Sequence, residues 1–203
     1  MESLSPTQRR IHQAAFRLFV EKGTAQINIL DLAREAGVAR GTVYSHIESM
    51  DSLFEAVASY LGREMHERVR RSVDMLADPA QGLAYGIRFF IRRAHEEPQW
   101  GAFLHRFATS NASLREMFSS QAMTDLLRGL SSGRYNFRQE QLLSVVTLIS
   151  NSVLGSIFLV LEGHRTWRDA GADNAELVLR ALGLPPVEAR ELATSELPAL
   201  PSL

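Results

Sequence analysis

Apolar positions recur with a helical period along almost the whole chain. Ile11, Ala14, Ala15, Leu18 and Phe19 fall at i, i+3, i+4, i+7 and i+8, one apolar stripe on a helix that Pro6 or Thr7 can start and Gly23 can stop. A short helix is predicted from Ile29 to Ala36, with Ile29, Leu32, Ala33 and Ala36 on one face, Asn28 as N-cap and Asp31 in the capping-box position. Gly37 ends it. After Gly37-Val38-Ala39 a third helix, Arg40 to about Ile47, would turn Val43 and Ile47 inward. From Asp51 to about Leu76 the pattern is one long helix, with Leu53, Phe54, Val57, Tyr60, Leu61 and Met65 inward, until Asp78-Pro79 punctuates the chain. Further helices are predicted over 79–97, 99–108, 112–132, 138–163, 173–182 and 186–194, then an extended tail from Leu197 to Pro201. No stretch alternates like a strand, so the fold class is all-α. The expected division is a three-helix N-terminal domain at 1–50, a linking fourth helix at 51–77 and a C-terminal helical bundle at 78–203.

Composition narrows the function classes. With 203 residues, 45% of them hydrophobic, 22% charged and a net charge of -1, the chain can bury a sizeable core and is no wholesale polyelectrolyte binder, although a local basic patch stays open. Only Lys22 among the 22 basic residues is a lysine, which suggests an arginine-biased genome. The absence of cysteine removes disulfides, thiolate metal sites and cysteine nucleophiles, and fits a reducing compartment. Met1 to Pro6 carry no cationic start and no apolar stretch, so no secretory signal is expected. Leu142 to Leu161, the longest apolar region, is broken by Ser144, Thr147, Ser150, Asn151, Ser152 and Ser156, and reads as a helix covered by protein rather than lipid. The expectation is a cytoplasmic, nucleoid-associated protein with no membrane partner. His66-Glu67 and His95-Glu96-Glu97 lack a second histidine at zinc-site spacing, and neither a Gly-x-Ser-x-Gly elbow nor a Gly-rich phosphate loop is present. No enzymatic activity, cofactor or metal is expected. The rivals are an all-α enzyme using His105 or His164, and a helical dimer that binds a small molecule or protein without reading DNA.

Residues 28 to 47 carry the sharpest pattern: helix, glycine-containing turn and second short helix, spaced as in a helix-turn-helix. Ala33 is small enough for the helices to cross, Gly37 accepts the positive φ of the turn, and Val38 fills the space between them. With Val43 and Ile47 inward, 100° per residue turns Gly41, Thr42 and Ser45 outward, with Arg40, Tyr44 and His46 on the flanks. Gly41 permits close approach to a major groove, and Thr42 and Ser45 can touch base edges. Arg40 offers the long bidentate fork suited to a guanine. Asn28 caps a helix whose free N–H groups can face phosphate.

Ala14-Ala15, Leu18-Phe19, Glu21-Lys22-Gly23, Leu32-Ala33, Ala36-Gly37-Val38, Gly41-Thr42-Val43-Tyr44 and His46 together resemble the N-terminal domain of the TetR family of transcriptional regulators, over residues 7–60. Asp125-Leu126-Leu127-Arg128-Gly129 and 176–183 resemble the family more loosely. The resemblance implies a homodimeric, all-helical, ligand-responsive DNA-binding protein, usually a repressor. It also implies that Tyr44 and His46 hold phosphates and set register. Three positions depart from the family pattern. Ala39 stands where a serine or threonine often caps the reading helix, at a cost of about 1 kcal/mol. Ile47 replaces a phenylalanine. Met50 replaces a phosphate-gripping lysine beside Glu48, so Arg9, Arg10, Arg34 and Arg40 must supply most phosphate attraction.

In the C-terminal half, aromatic residues recur at helical spacing. Core packing accounts for any one of them, but as a set Tyr85, Phe89, Trp100, Phe103, Phe107 and Phe118, with Asn151 for orientation, are candidates to line an apolar effector pocket. The helix at 138–163 is apolar on more than one face, as an element must be when it serves both its own core and a partner. Val146, Ile149, Val153, Gly155 and Leu177 are therefore candidates for a homodimer interface. The function read from the sequence is a homodimeric, sequence-specific repressor, released from a double-stranded DNA operator by a small, mostly apolar effector.

Overall fold

The computed structural model describes residues 4–73 and 76–201, and every regular element among the described residues is helical. Helix α1 (Pro6–Lys22) opens on a reciprocal capping box: Gln8 N–H donates to Ser5 Oγ (3.2 Å) and Ser5 N–H to Gln8 Oε1 (2.9 Å). Its expected stripe, Ile11 to Phe19, is buried. In α2 (Ile29–Ala36) the Asn28 side chain accepts from Asp31 N–H at 3.0 Å. The expected box does not close. Asp31 pairs instead with Lys22 Nζ at 3.3 Å, because an aspartate lacks the extra methylene with which a glutamate reaches back to the cap. Gly37 takes the left-handed conformation, φ 61°, and a Cβ there would also meet Arg10 Nη2 at 2.8 Å.

Helix α3 (Arg40–Tyr44) is three residues shorter than its periodicity suggests. Ala39 offers no side-chain cap, and Ser45 and His46 turn their side chains onto the Thr42 carbonyl, drawing the chain out of the helix. Val43 is fully buried beneath it. Helix α4 (Met50–Val73) starts with a second reciprocal pair, Ser49 N–H to Ser52 Oγ (3.1 Å) and Ser52 N–H to Ser49 Oγ (3.0 Å). Tyr60, expected inward, is half exposed. It lies about 100° around α4 from the centre of the face shared by Leu53, Val57, Met65 and Val69. The expected run of this helix through 74 and 75, like the reading of residues 1–3, falls outside the described residues.

The chain divides into two compact units, Met1–Gly62 and Arg63–Leu203, with the division inside α4. The later turns of α4 engage the second unit: Arg93 Nη2 donates to Glu64 Oε2 at 2.6 Å. In the first unit, Phe19 meets Phe54 edge-on at 5.1 Å over the α1–α2 packing.

The second unit is built around α5 (Pro79–Glu96), which packs against α6 (Pro98–Phe107), α7 (Ala112–Ser131), α8 (Leu142–Leu161), α9 (Trp167–Ala181) and α10 (Pro186–Thr194). Helix α9 begins six residues before the expected start, since Thr166 caps it by accepting from Asp169 N–H at 3.1 Å. A buried polar pin joins α8 to α9: Asn174 Nδ2 donates to Ser156 Oγ (2.8 Å) while Ser152 Oγ donates to Asn174 Oδ1 (3.2 Å). A satisfied buried network of this kind fixes helix register where apolar contacts alone would permit sliding.

Candidate functional site

Helix α3 presents one polar, open surface opposite buried Val43. Arg40, Gly41, Tyr44, Ser45 and His46 are exposed and Thr42 is half-buried. A Cβ on Gly41 would meet no atom within 4 Å, so the chain itself has no packing need for glycine there. Arg40 and Tyr44 act as a pair. The guanidinium carbon sits 5.5 Å from the Tyr44 ring centroid and Nη2 donates to the Tyr44 hydroxyl at 3.1 Å, holding the arginine fork in one place. The phenol can still donate its own hydrogen outward. At the helix end Ser45 Oγ donates to the Thr42 carbonyl at 2.9 Å, and His46 Nδ1 lies 2.8 Å from the same oxygen. Because a carbonyl only accepts, Nδ1 must carry the hydrogen. A neutral His46 ring then offers Nε2 only as an acceptor, and donating to a phosphate requires the doubly protonated ring.

The basic residues around this surface are unequally committed. Arg10 donates to the Gly37 carbonyl at 2.6 Å, Arg17 pairs with Glu35 at 2.7 Å and Lys22 with Asp31. Arg9 and Arg34 are exposed and, among the described residues, enter no ion pair. Arg10 therefore braces the turn that presents α3, a role that sequence spacing did not reveal. Asn28 caps α2 on its exposed N-terminal side, and Met50 is half-buried at the first turn of α4.

Among the described residues, two adjoining spaces stand out in the second unit. An open groove of about 360 Å³ is lined by Thr109, Arg115, Phe118, Ser150, Asn151 and Leu154, among others. Next to it lies a smaller cavity of about 40 Å³, bounded by Leu83, Gly86, Phe90, Asp125, Ile149 and Val153, with Phe118 and Ser150 in the wall common to both. Of the residues expected to line a pocket, Phe118 and Asn151 do so. Tyr85, Phe89, Trp100, Phe103 and Phe107 line neither of these two spaces and are buried. Tyr85 donates to the Glu196 carbonyl at 2.9 Å, Trp100 lies under the Arg93 guanidinium at 4.5 Å, and Phe103 meets Phe107 at 5.0 Å. Helical spacing identifies them as buried, and these two spaces lie elsewhere. Asp125, only 2% exposed, lies in the wall of the smaller cavity, a place that helical spacing does not reveal. Beside it the Tyr135 phenol is pushed far above its ordinary range, by burial first and then by the neighbouring Asp125 charge.

The expected dimer residues divide in a similar way. Val146, Ile149 and Val153 are buried within their own unit, with Ile149 and Val153 in the cavity wall. The face of α8 left uncovered carries Leu148, Gly155, Phe158 and Leu159, and Leu177 on α9 is 62% exposed. Both faces of α8 are apolar, so periodicity alone gave no sign of which was which. Only a third of this helix's most apolar stretch is buried.

Comparison with known proteins agrees with this architecture. The family model described as "Bacterial regulatory proteins, tetR family" matches residues 11–57, and that described as "Tetracyclin repressor-like, C-terminal domain" matches residues 78–195. The chain is 28% identical over 94 residues to the HTH-type transcriptional regulator Rv1255c of Mycobacterium tuberculosis, a match covering 46% of each chain. It is 34% identical over 71 residues to the HTH-type transcriptional regulator TtgR of Pseudomonas putida, covering 35% of this chain and 33% of that one. These matches thus span less than half of either relative. A crystal structure of RolR in complex with resorcinol superposes with a TM-score of 0.76 at 27% identity, over 96% of both chains. With family matches in both halves of the sequence, the chain belongs to the TetR family of transcriptional regulators.

Proposed function

We propose that the chain is a homodimeric repressor that reads a two-part operator with α3 and leaves it when a small, mostly apolar molecule occupies the second unit. The observation that carries the reading is the outer face of α3. Its exposed residues are small or polar, open space surrounds Gly41, and a tyrosine holds the arginine fork in place. In this reading Gly41, Thr42 and Ser45 approach base edges, Arg40 pairs with a guanine, and Tyr44, His46 and Asn28 hold the phosphate backbone. The partner copy packs against the uncovered face of α8 and Leu177, giving the two reading helices a fixed separation. Helix α4 contributes residues to both units, so an effector that prefers one arrangement of the second unit biases operator binding, with the ordinary coupling of about 1–3 kcal/mol. The resorcinol held by RolR, a single ring, supports a small effector for a chain of this fold.

Selection of bound sequences from random duplex DNA, followed by fluorescence anisotropy on the selected operator, tests the reading. Arg40→Ala is expected to lose about 1–3 kcal/mol of discrimination at one base position per half-site. Tyr44→Phe, which keeps the ring face but loses the hydroxyl, is expected to weaken every operator variant alike. A uniform loss for Arg40→Ala would remove it from base reading. Met50→Lys is expected to raise affinity and steepen the dependence of log K on log salt by about one unit per half-site, and an unchanged slope would place residue 50 off the backbone.

A further inference from the structure

The groove of about 360 Å³ lies between α7 and α8, and its volume suits one compact molecule. Phe118, Val146 and Leu154 give it apolar surface, and Arg115 is the one ionisable side chain among its lining residues. That guanidinium is anchored but not neutralised. Arg115 Nη1 donates to the Thr109 carbonyl at 3.0 Å, which fixes one end of the fork, and among the described residues no carboxylate lies within ion-pair distance of it. Nε and Nη2 keep their hydrogens on an edge that can hold a carboxylate by two parallel bonds. The α8 wall has the opposite character. Thr147 Oγ1 donates to the Leu143 carbonyl at 2.8 Å and Ser150 Oγ to the Val146 carbonyl at 2.9 Å, so each hydroxyl has committed its hydrogen and offers lone pairs only. Asn151 Nδ2 donates to the Thr147 carbonyl at 2.9 Å, which leaves Oδ1 as an acceptor. Phe118, in the wall shared with the smaller, inner cavity, is held by Phe90 at 4.8 Å between ring centroids. The groove thus sets a cationic donor on α7 and acceptor oxygens on α8 around one aromatic face.

We propose that the groove selects as effector a compact aromatic acid with a hydroxyl at its far end. The carboxylate takes the open edge of the Arg115 guanidinium, the ring lies against Phe118 and Leu154, and the hydroxyl donates to Asn151 Oδ1 or its neighbours on α8. This rests on the reading of the second unit as the effector-binding unit and gives that effector its chemistry. Neither polar end tolerates its opposite. A cation in place of the acid meets the Arg115 charge. A group that only accepts, such as an ether, finds along α8 nothing but lone pairs apart from the second Asn151 N–H. Because Arg115 is exposed, water weakens its pair with the acid, and the preference for the acid over a neutral analogue is about fivefold, far below that of a buried pair.

Calorimetric titration of the full-length protein with phenol, benzoate and 4-hydroxybenzoate tests the assignment. 4-Hydroxybenzoate is expected to bind about fivefold tighter than phenol, with benzoate also below it, and added salt should weaken both acids while leaving phenol unchanged. Arg115→Gln, which removes the charge, should bring 4-hydroxybenzoate down to the affinity of phenol. Asn151→Leu, which removes one acceptor, should narrow its lead over benzoate. If Arg115→Gln fails to fold, the salt dependence on the unmodified protein decides. Equal affinity for the three compounds, a lead over phenol unchanged in Arg115→Gln, or no binding by any of them overturns the acid assignment and leaves the second unit open to a neutral effector. Fluorescence anisotropy on the selected operator at saturating 4-hydroxybenzoate separates the two readings. Loss of operator affinity supports both, whereas Arg115-dependent binding that leaves the operator bound overturns the effector reading and keeps the groove as an acid-binding site.

Discussion

A Leu148→Glu chain is expected to sediment as a monomer, to keep its helix content, and to bind its operator about 10²–10⁴-fold more weakly than the unmodified protein. The affinity loss follows from linkage. In a dimer the second half-site is engaged at the effective concentration set by the first, and a monomer forfeits that gain without losing one contact to DNA. The position follows from exposure. Leu148 is 52% exposed on α8, on the face that includes Gly155 and Phe158, so a glutamate there meets water in the single chain and is buried only when a partner covers it. Val153 makes the contrasting control. At 3% exposure and lining the inner cavity, Val153→Asp should unfold the second unit, and its loss of DNA binding would say nothing about association. A Leu148→Glu chain that remains dimeric at micromolar concentration in sedimentation equilibrium removes this face from the interface.

The periodicity of the sequence located most helices to within a few residues, because an amphipathic stripe is a local property and survives whatever packs against it. It failed where side chains compete with the helix. Ser45 and His46 both bond to the Thr42 carbonyl and end α3 early, although Ile47 keeps the apolar period. It failed again where tertiary partners decide: Asp31 has the spacing of a capping box, yet Lys22 from another helix takes its carboxylate. The outward face of α3 was legible in full, since burying Val43 on one side dictates what lies on the other. The second unit was legible only as apolar. Trp100 and Phe103 against Phe118, or Ile149 against Leu148, cannot be assigned to core, cavity or surface from spacing, because each choice depends on which neighbouring helix arrives there. Asp125 could have been noticed as a lone acid within the apolar run of α7, but an exposed aspartate in a helix gives the same pattern.

The largest expected loss of stability comes from a single methyl group at Gly129. A Cβ built there would lie 2.0 Å from Tyr135 Cε2 and 2.1 Å from Cδ2, overlapping that edge of the ring. The ring has nowhere to go. Tyr135 is 4% exposed, and its backbone is fixed to the residue it covers, since the N–H of Tyr135 donates to the Gly129 carbonyl at 3.1 Å and that of Arg134 to the same oxygen at 2.7 Å. Gly129→Ala must therefore displace a buried aromatic ring together with the turn that follows α7, and the expected cost is about 3 kcal/mol or more, at the upper end for overpacking. For a chain of this length that lowers Tm by roughly 6–12 °C. Gly86→Ala gives the opposite sign. Its Cβ enters open space in the middle of α5, so the reduced conformational freedom of the unfolded chain adds up to about 1 kcal/mol of stability. Thermal unfolding of the two variants side by side separates steric crowding from helix propensity, which alone would make both substitutions stabilising. A Gly129→Ala protein that melts with or above the unmodified chain would mean that Tyr135 does not lie across Gly129 in solution.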